Sequence, residues 1–179
     1  MRLAALVLVA LAVPAAAEAR PFTISAQGSA TGFGVVRAIG SFRPSADPTY
    51  AAALDAFGEP DAERQRFRGT SCRVSWHGQG LKIAFANFGG GSACDPELGR
   101  SQSARAYGKR WRTVRGLRVG SRLGRLRNLY ARATRHGRQW WLITAVSVIG
   151  ETHRYPVLAA KVRHARVRSF SVFIGAAGD

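Results

Sequence analysis

The stretch RGLRVGSRLGRLRNLYAR, residues 115–132, decides how this chain is read. Ser121 stands where a helix cap belongs, and Leu123, Leu126, Leu129 and Tyr130 recur at helical spacing. On a helical wheel Leu123, Leu126 and Tyr130 face a core. Arg127 flanks that stripe on one edge, and Arg125 with Arg132 lies toward the other. Six of the eighteen residues are arginine and none is acidic, so the helix brings no partner for its own charge.

An earlier stretch follows the same order. VVRAIGSFRPSADPTYAAALDAFGEP, residues 35–60, has a short strand, a turn, a cap and an apolar helix. Thr49 is the cap, Tyr50, Ala53, Leu54 and Phe57 form the stripe, and Gly58 then Pro60 stop the helix. Thr49 and Ser121 each have apolar residues five and eight positions later: Leu54 and Phe57, Leu126 and Leu129. This echo predicts an α+β fold of two helix-plus-antiparallel-sheet units, about 33–108 and 109–179, in one domain.

The rest of the chain fits around those helices. Residues 20–32 are small and polar and read as a flexible arm. Residues 33–42 read as a strand and 61–69 as a polar connector. Cys72, Val74 and Trp76, then Leu81, Ile83 and Phe85, alternate with other residues about the turn 77–80, which predicts a hairpin over 71–87. Residues 88–110 read as a long loop, and WRTVRGL, residues 111–117, as a short strand. RQWWLITAVSVIG, residues 138–150, predicts a strong strand. YPVLAAKV and ARVRSFSVFIG predict a final hairpin turning near Arg163-His164-Ala165-Arg166.

TYAAALDAFGEP, residues 49–60, is similar to the repeat of the small outer-membrane-assembly lipoproteins of the BamE/SmpA type. It is also similar to the tandem repeats of secreted β-lactamase-inhibitor proteins. VGSRLGRLRNLYA, residues 119–131, matches the opening of that repeat and lacks its Gly-x-Pro ending. The resemblance implies a protein-binding scaffold without catalysis, and it transfers no functional residue to this chain.

Residues 1–19 have the form of a signal peptide. Arg2 supplies a positive start, Leu3 to Ala17 an apolar run, and Ala17-Glu18-Ala19 a cleavage site. The run is short for a membrane span, and no later stretch of that length follows, so no transmembrane segment is expected in the mature chain. No cysteine follows the run, which argues against a lipoprotein. An extracytoplasmic protein with two cysteines, Cys72 and Cys94, is expected to join them as a disulfide.

The 179 residues carry a formal net charge of +17. Arginine outnumbers lysine 24 to 3, a bias that points to a high-GC bacterial genome. Codon bias does not explain where the acids are missing. Residues 20–97 carry 8 basic and 7 acidic side chains, whereas residues 98–150 carry 13 basic and no acidic ones. Such a segregated field repels itself and points to an anionic partner.

Motifs for chemistry are absent from the sequence. His77, His136, His153 and His164 make no helical zinc spacing. FGGGSACDP, residues 88–96, lacks the Gly-Lys-[Ser/Thr] of a phosphate loop, and no Gly-x-Ser-x-Gly is present. No catalytic residue, metal site or cofactor is assigned. With no helix-turn-helix or zinc-finger pattern in an exported chain, sequence-specific nucleic-acid binding is not expected.

Three functions follow as expectations. The first is a secreted binding protein docking on an anionic cell-envelope polymer or an acidic protein through Arg118, Arg122, Arg125, Arg127 and Arg132, with Arg110 and Arg112. The second is a secreted inhibitor-like protein that holds a protein partner through an aromatic sheet face. Trp140 and Trp141, adjacent on one strand, must point to opposite faces, so one of them is the contact residue. The third is a small secreted hydrolase without a recognisable motif.

Overall fold

The structure, a computed structural model, describes residues 21–147 and 152–175. The leader expected over 1–19 and the last three residues of the strand expected over 138–150 lie outside the described residues. Strands Phe22–Gln27 (β1) and Val35–Ile39 (β2) come first, then the helix Tyr50–Phe57 (α1). Strands Ala62–Arg66 (β3), Ser71–Trp76 (β4), Leu81–Ala86 (β5) and Arg100–Ala106 (β6) follow. After the short strand Trp111–Thr113 (β7) comes the helix Leu123–Leu129 (α2). Strands Thr134–His136 (β8), Gln139–Ser147 (β9), His153–Arg163 (β10) and Arg166–Phe173 (β11) complete the described fold.

Eight strands form one antiparallel sheet in the order β3-β4-β5-β6-β11-β10-β9-β8. A second sheet, β2-β1-β7, pairs β1 antiparallel to β2 and parallel to β7. Alternation decides which face of the large sheet is inner. Cys72, Val74, Trp76, Leu81, Ile83 and Phe85 point to one face and are buried there. Tyr50 of α1 packs on Phe85 and Phe57 on Trp76, while Leu126 and Tyr130 cover the other half of the same face. The small sheet closes the layer with Ile24, Val36, Ile39 and Trp111, whose indole N–H donates to the Gln79 carbonyl.

The expectation of two helix-plus-sheet units is corrected by these elements. Strand makes up 48% of the described residues and helix only 12%, so the chain is mostly β and its centre is one continuous sheet. Both helices are about two turns long, too short to be stable without the sheet they lie on. Four strands were hidden in polar sequence, among them β8, which lies between α2 and the strand expected from residue 138. β1 lies within the segment read as a flexible arm, where Ile24 is fully buried between β2 and β7. β3 lies in the polar connector and is exposed along its length, as an edge strand. β6 lies in the long loop and buries only small side chains, Ser101, Ala104 and Ala106.

The two helices also differ at their starts. The Thr49 side chain accepts from the Ala52 N–H at 3.1 Å, and the Gly58 N–H closes the helix on the Leu54 carbonyl with φ at 76°, so α1 is capped as its sequence predicts. α2 has Arg122 at its cap position and no side-chain cap. Ser121 instead accepts from the Arg118 N–H at 3.1 Å, holding the turn before the helix. Cys72 and Cys94 are joined, with Cα atoms 5.1 Å apart, tying the loop before β6 to the start of β4. Closing that loop stabilises the fold by about 3 kcal/mol in the chain-entropy account. Among the described residues no helix is long and apolar enough to cross a membrane.

Candidate functional site

The helices and the small sheet cover one face of the large sheet, and the side chains of opposite parity form a second face, on which Ser75, Ala159 and Ser169 are buried beneath the longer side chains that reach solvent. Strand register fixes its composition. One row runs Ser75, Lys82, Arg105, Ser171, Ala159 and Trp141 across β4, β5, β6, β11, β10 and β9. The next runs Ser169, Lys161, Gln139 and His136. Arg73 and Arg64 stand opposite each other toward the β3 edge. No Asp or Glu occupies any of these positions. The cations are set among small residues, and Arg105 Nε donates to the Ser169 hydroxyl at 3.3 Å.

The row at the end of the sheet is formed differently. Residues 120–123 run beside the start of β11, exchanging Gly120 N–H to Val167 O at 2.8 Å, Val167 N–H to Ser121 O at 2.9 Å and Leu123 N–H to Ala165 O at 2.8 Å. This sets Arg122 opposite Arg166, and Arg166 stands opposite Arg163 on β10. Three exposed arginines therefore lie side by side on adjacent strands. A further like-charge pair, Arg112 and Arg118, faces across a bridge beside β7. Like charges directly opposite each other destabilise a sheet. None of Arg112, Arg118, Arg122, Arg163 or Arg166 has a carboxylate within ion-pair distance among the described residues.

The arginines named from sequence are not gathered into one patch. Arg110 lies over the Phe22 ring and Arg112 donates to the Thr23 hydroxyl, both beside the small sheet. Arg127 of α2 lies over Trp140 on the helix side, and Arg115 covers Tyr130 while donating to the Leu129 carbonyl. Arg125 is exposed on α2. Arg132 follows that helix and borders a groove with Trp141 and Thr144. Only Arg122 joins the row at the end of the large sheet. Lys82, Arg105, Lys161, Arg163 and Arg166 were not singled out by sequence. Their signal is strand parity, which needs the pairing register to be read. Arg110, Arg115 and Arg127 lie over aromatic rings, so their stems cover apolar surface.

The two tryptophans separate as adjacent strand residues must. Trp140 is 9% exposed and lies on the covered face. Trp141 is half-buried on the other face, its ring stacked on His136 with centroids 3.6 Å apart. Trp141 is thus the member available to a partner.

The described side chains do not assemble a hydrolytic site. His77 and Asp61 approach to 3.9 Å, but both are exposed beside the β4–β5 turn. A groove of about 540 Å³ lies between residues 34–48, 86–89 and 98–102, and no histidine or carboxylate lines it. Glu63 lies near Cys72 and Cys94, but those sulfurs are bonded to each other and the Glu63 carboxylate accepts from the Tyr50 hydroxyl. Burial raises the pKa of the Tyr50 phenol, and the hydrogen bond to Glu63 adds to that. Burial also raises that of Tyr130, with Thr113 and Arg115 opposing.

No protein-family model, curated protein or solved structure matches the chain.

Proposed function

We propose that the protein is a secreted, non-catalytic binding protein that docks through its uncovered basic face on an anionic component of the cell envelope. The observation that carries this reading is the set of like charges held directly opposite one another: Lys82 and Arg105, Arg122 and Arg166, Arg166 and Arg163. A fold gains nothing internally from that arrangement. An anion lying across the strands turns each repulsive pair into a shared donor set, because guanidinium groups bind phosphate and carboxylate through parallel N–H bonds. The disulfide and the leader-like first nineteen residues support export to an oxidising compartment. The test is cosedimentation of Arg105→Glu/Arg166→Glu with isolated cell envelope. The variant is expected to fold, shown by an unchanged circular dichroism spectrum, and to lose binding. Undiminished binding contradicts the reading and moves attention to an acidic protein partner held elsewhere.

A second reading is favoured by Trp141. Its half-buried ring lies on the same uncovered face, among Thr134, Ala159 and His136. An inhibitor-like protein would use that end of the sheet to hold a protein partner. In that case Trp141→Ala removes binding and added salt changes little.

A further inference from the structure

The row Arg122, Arg166, Arg163 differs from the other basic positions in how firmly it is built. Arg163 and Arg166 are fixed by the β10–β11 register, and Arg122 by the three backbone bonds between residues 120–123 and 165–167. Arg166 also donates to the Gly120 carbonyl at 3.1 Å, which anchors its side chain to the 120–123 segment. Arg168 Nε donates to the Arg163 carbonyl at 3.4 Å and adds a fourth guanidinium at the same end. Directly opposed residues on neighbouring strands have Cβ atoms about 5 Å apart. Two such guanidiniums reach one anion together.

That convergence selects the anion. A carboxylate has two oxygens in one plane, and a first guanidinium fork takes the lone pairs that face it. Further forks must crowd into that same plane to reach the remaining lone pairs, and they share one negative charge. A phosphate presents oxygens out of that plane, and successive phosphates on a chain supply several charges. Surroundings select the source. The exposed large apolar side chains include Phe33, Val35, Phe67, Phe88, Leu98 and Phe173, and none lies in 118–132 or 163–168. A surface that settles into a lipid headgroup layer carries apolar side chains beside its cations; this row carries none.

We infer that Arg122, Arg166 and Arg163 form a phosphate-binding row, and that the envelope component on which the protein docks is a phosphate-bearing polymer. This rests on the docking reading above and names its ligand class.

The test uses the oxidised protein and three probes: a short inorganic polyphosphate, a poly-glutamate of equal charge, and vesicles containing anionic phospholipid. Calorimetric titration is expected to show polyphosphate bound more tightly than either of the others. Arg122→Gln/Arg163→Gln/Arg166→Gln is expected to weaken polyphosphate binding by about tenfold or more, the scale of losing charge-assisted hydrogen bonds. Arg37→Gln/Arg43→Gln/Arg68→Gln removes the same charge at exposed positions outside the uncovered face of the large sheet and is expected to change it by less than about threefold, as a screened charge at long range does. Equal binding of polyphosphate and poly-glutamate, or equal losses in the two variants, overturns the phosphate row. Vesicle binding as tight as polyphosphate binding overturns the polymer. Envelope binding retained by the row variant overturns the inference and leaves the docking reading standing. Polyphosphate binding through the row in a protein that ignores cell envelope keeps the row and overturns the docking reading.

Discussion

Arg163 and Arg166 stand directly opposite each other across the β10–β11 hairpin, with only His164 and Ala165 between them. Both connecting residues have positive φ, 51° and 53°, the geometry of a tight two-residue hairpin turn. The turn therefore forces two positive side chains into register on one face.

The first prediction concerns that pair. Arg163→Gln removes one charge and leaves the Arg166 bond to Gly120 in place. It is expected to raise stability by roughly 0.2–1 kcal/mol at low salt, the range of cross-strand pair terms. The gain shrinks as salt screens the repulsion. Urea melts in low and high salt check both parts.

The helix starts give the second. Thr49→Ala removes the cap of α1 and is expected to cost about 1 kcal/mol. Ser121→Ala removes no helix cap, because Ser121 bonds the Arg118 N–H before α2 begins. Its effect on α2 helicity is expected to be nil, with a smaller overall loss than for Thr49→Ala. Paired urea melts and circular dichroism separate the two.

These caps also show what was legible in the sequence. α1, its cap and its stop could be read because Thr49, the apolar stripe and Gly58 each signal locally. The hairpin over 71–87 and the strand at Trp140–Trp141 could be read from alternation. The dominance of sheet could not. β6, RSQSARA, buries only small side chains and has no apolar alternation. β1, FTISAQ, buries only Ile24 and Ala26, and β3 is polar because it is an edge. Each is held by pairing with a strand distant in sequence, which a local pattern does not report. For the site, the segregation of charge is legible in the sequence, but composition cannot say which face a residue is on. Arg127 turned out to cover Trp140, whereas Arg166, outside the most basic segment, lies at the centre of the row.

The third prediction separates the tryptophans. Trp140→Ala empties a buried position and is expected to cost about 3–5 kcal/mol. Trp141→Ala loses a half-exposed stack on His136 and is expected to cost about 1 kcal/mol. Denaturant melts of the two variants measure the difference. Comparable costs would contradict the assignment of faces.

The fourth concerns alkaline pH. The Tyr50 phenol has its pKa raised above the ordinary 10.0, by burial first and then by the hydrogen bond to Glu63. Folding thus favours its protonated form. The resulting stability is fully present below pH about 10 and is lost as pH rises toward the folded value. Tyr50→Phe is expected to flatten that decline. Urea melts from neutral pH upward, for both proteins, check the sign; an equal decline in both contradicts it.

The central claim is that the uncovered basic face meets an anion of the cell envelope. Its most direct test is cosedimentation of the oxidised protein with isolated envelope across a salt series. Saturable binding that weakens steeply with salt is the predicted result, because each cation–anion contact is screened. No binding, or binding indifferent to salt, contradicts the claim.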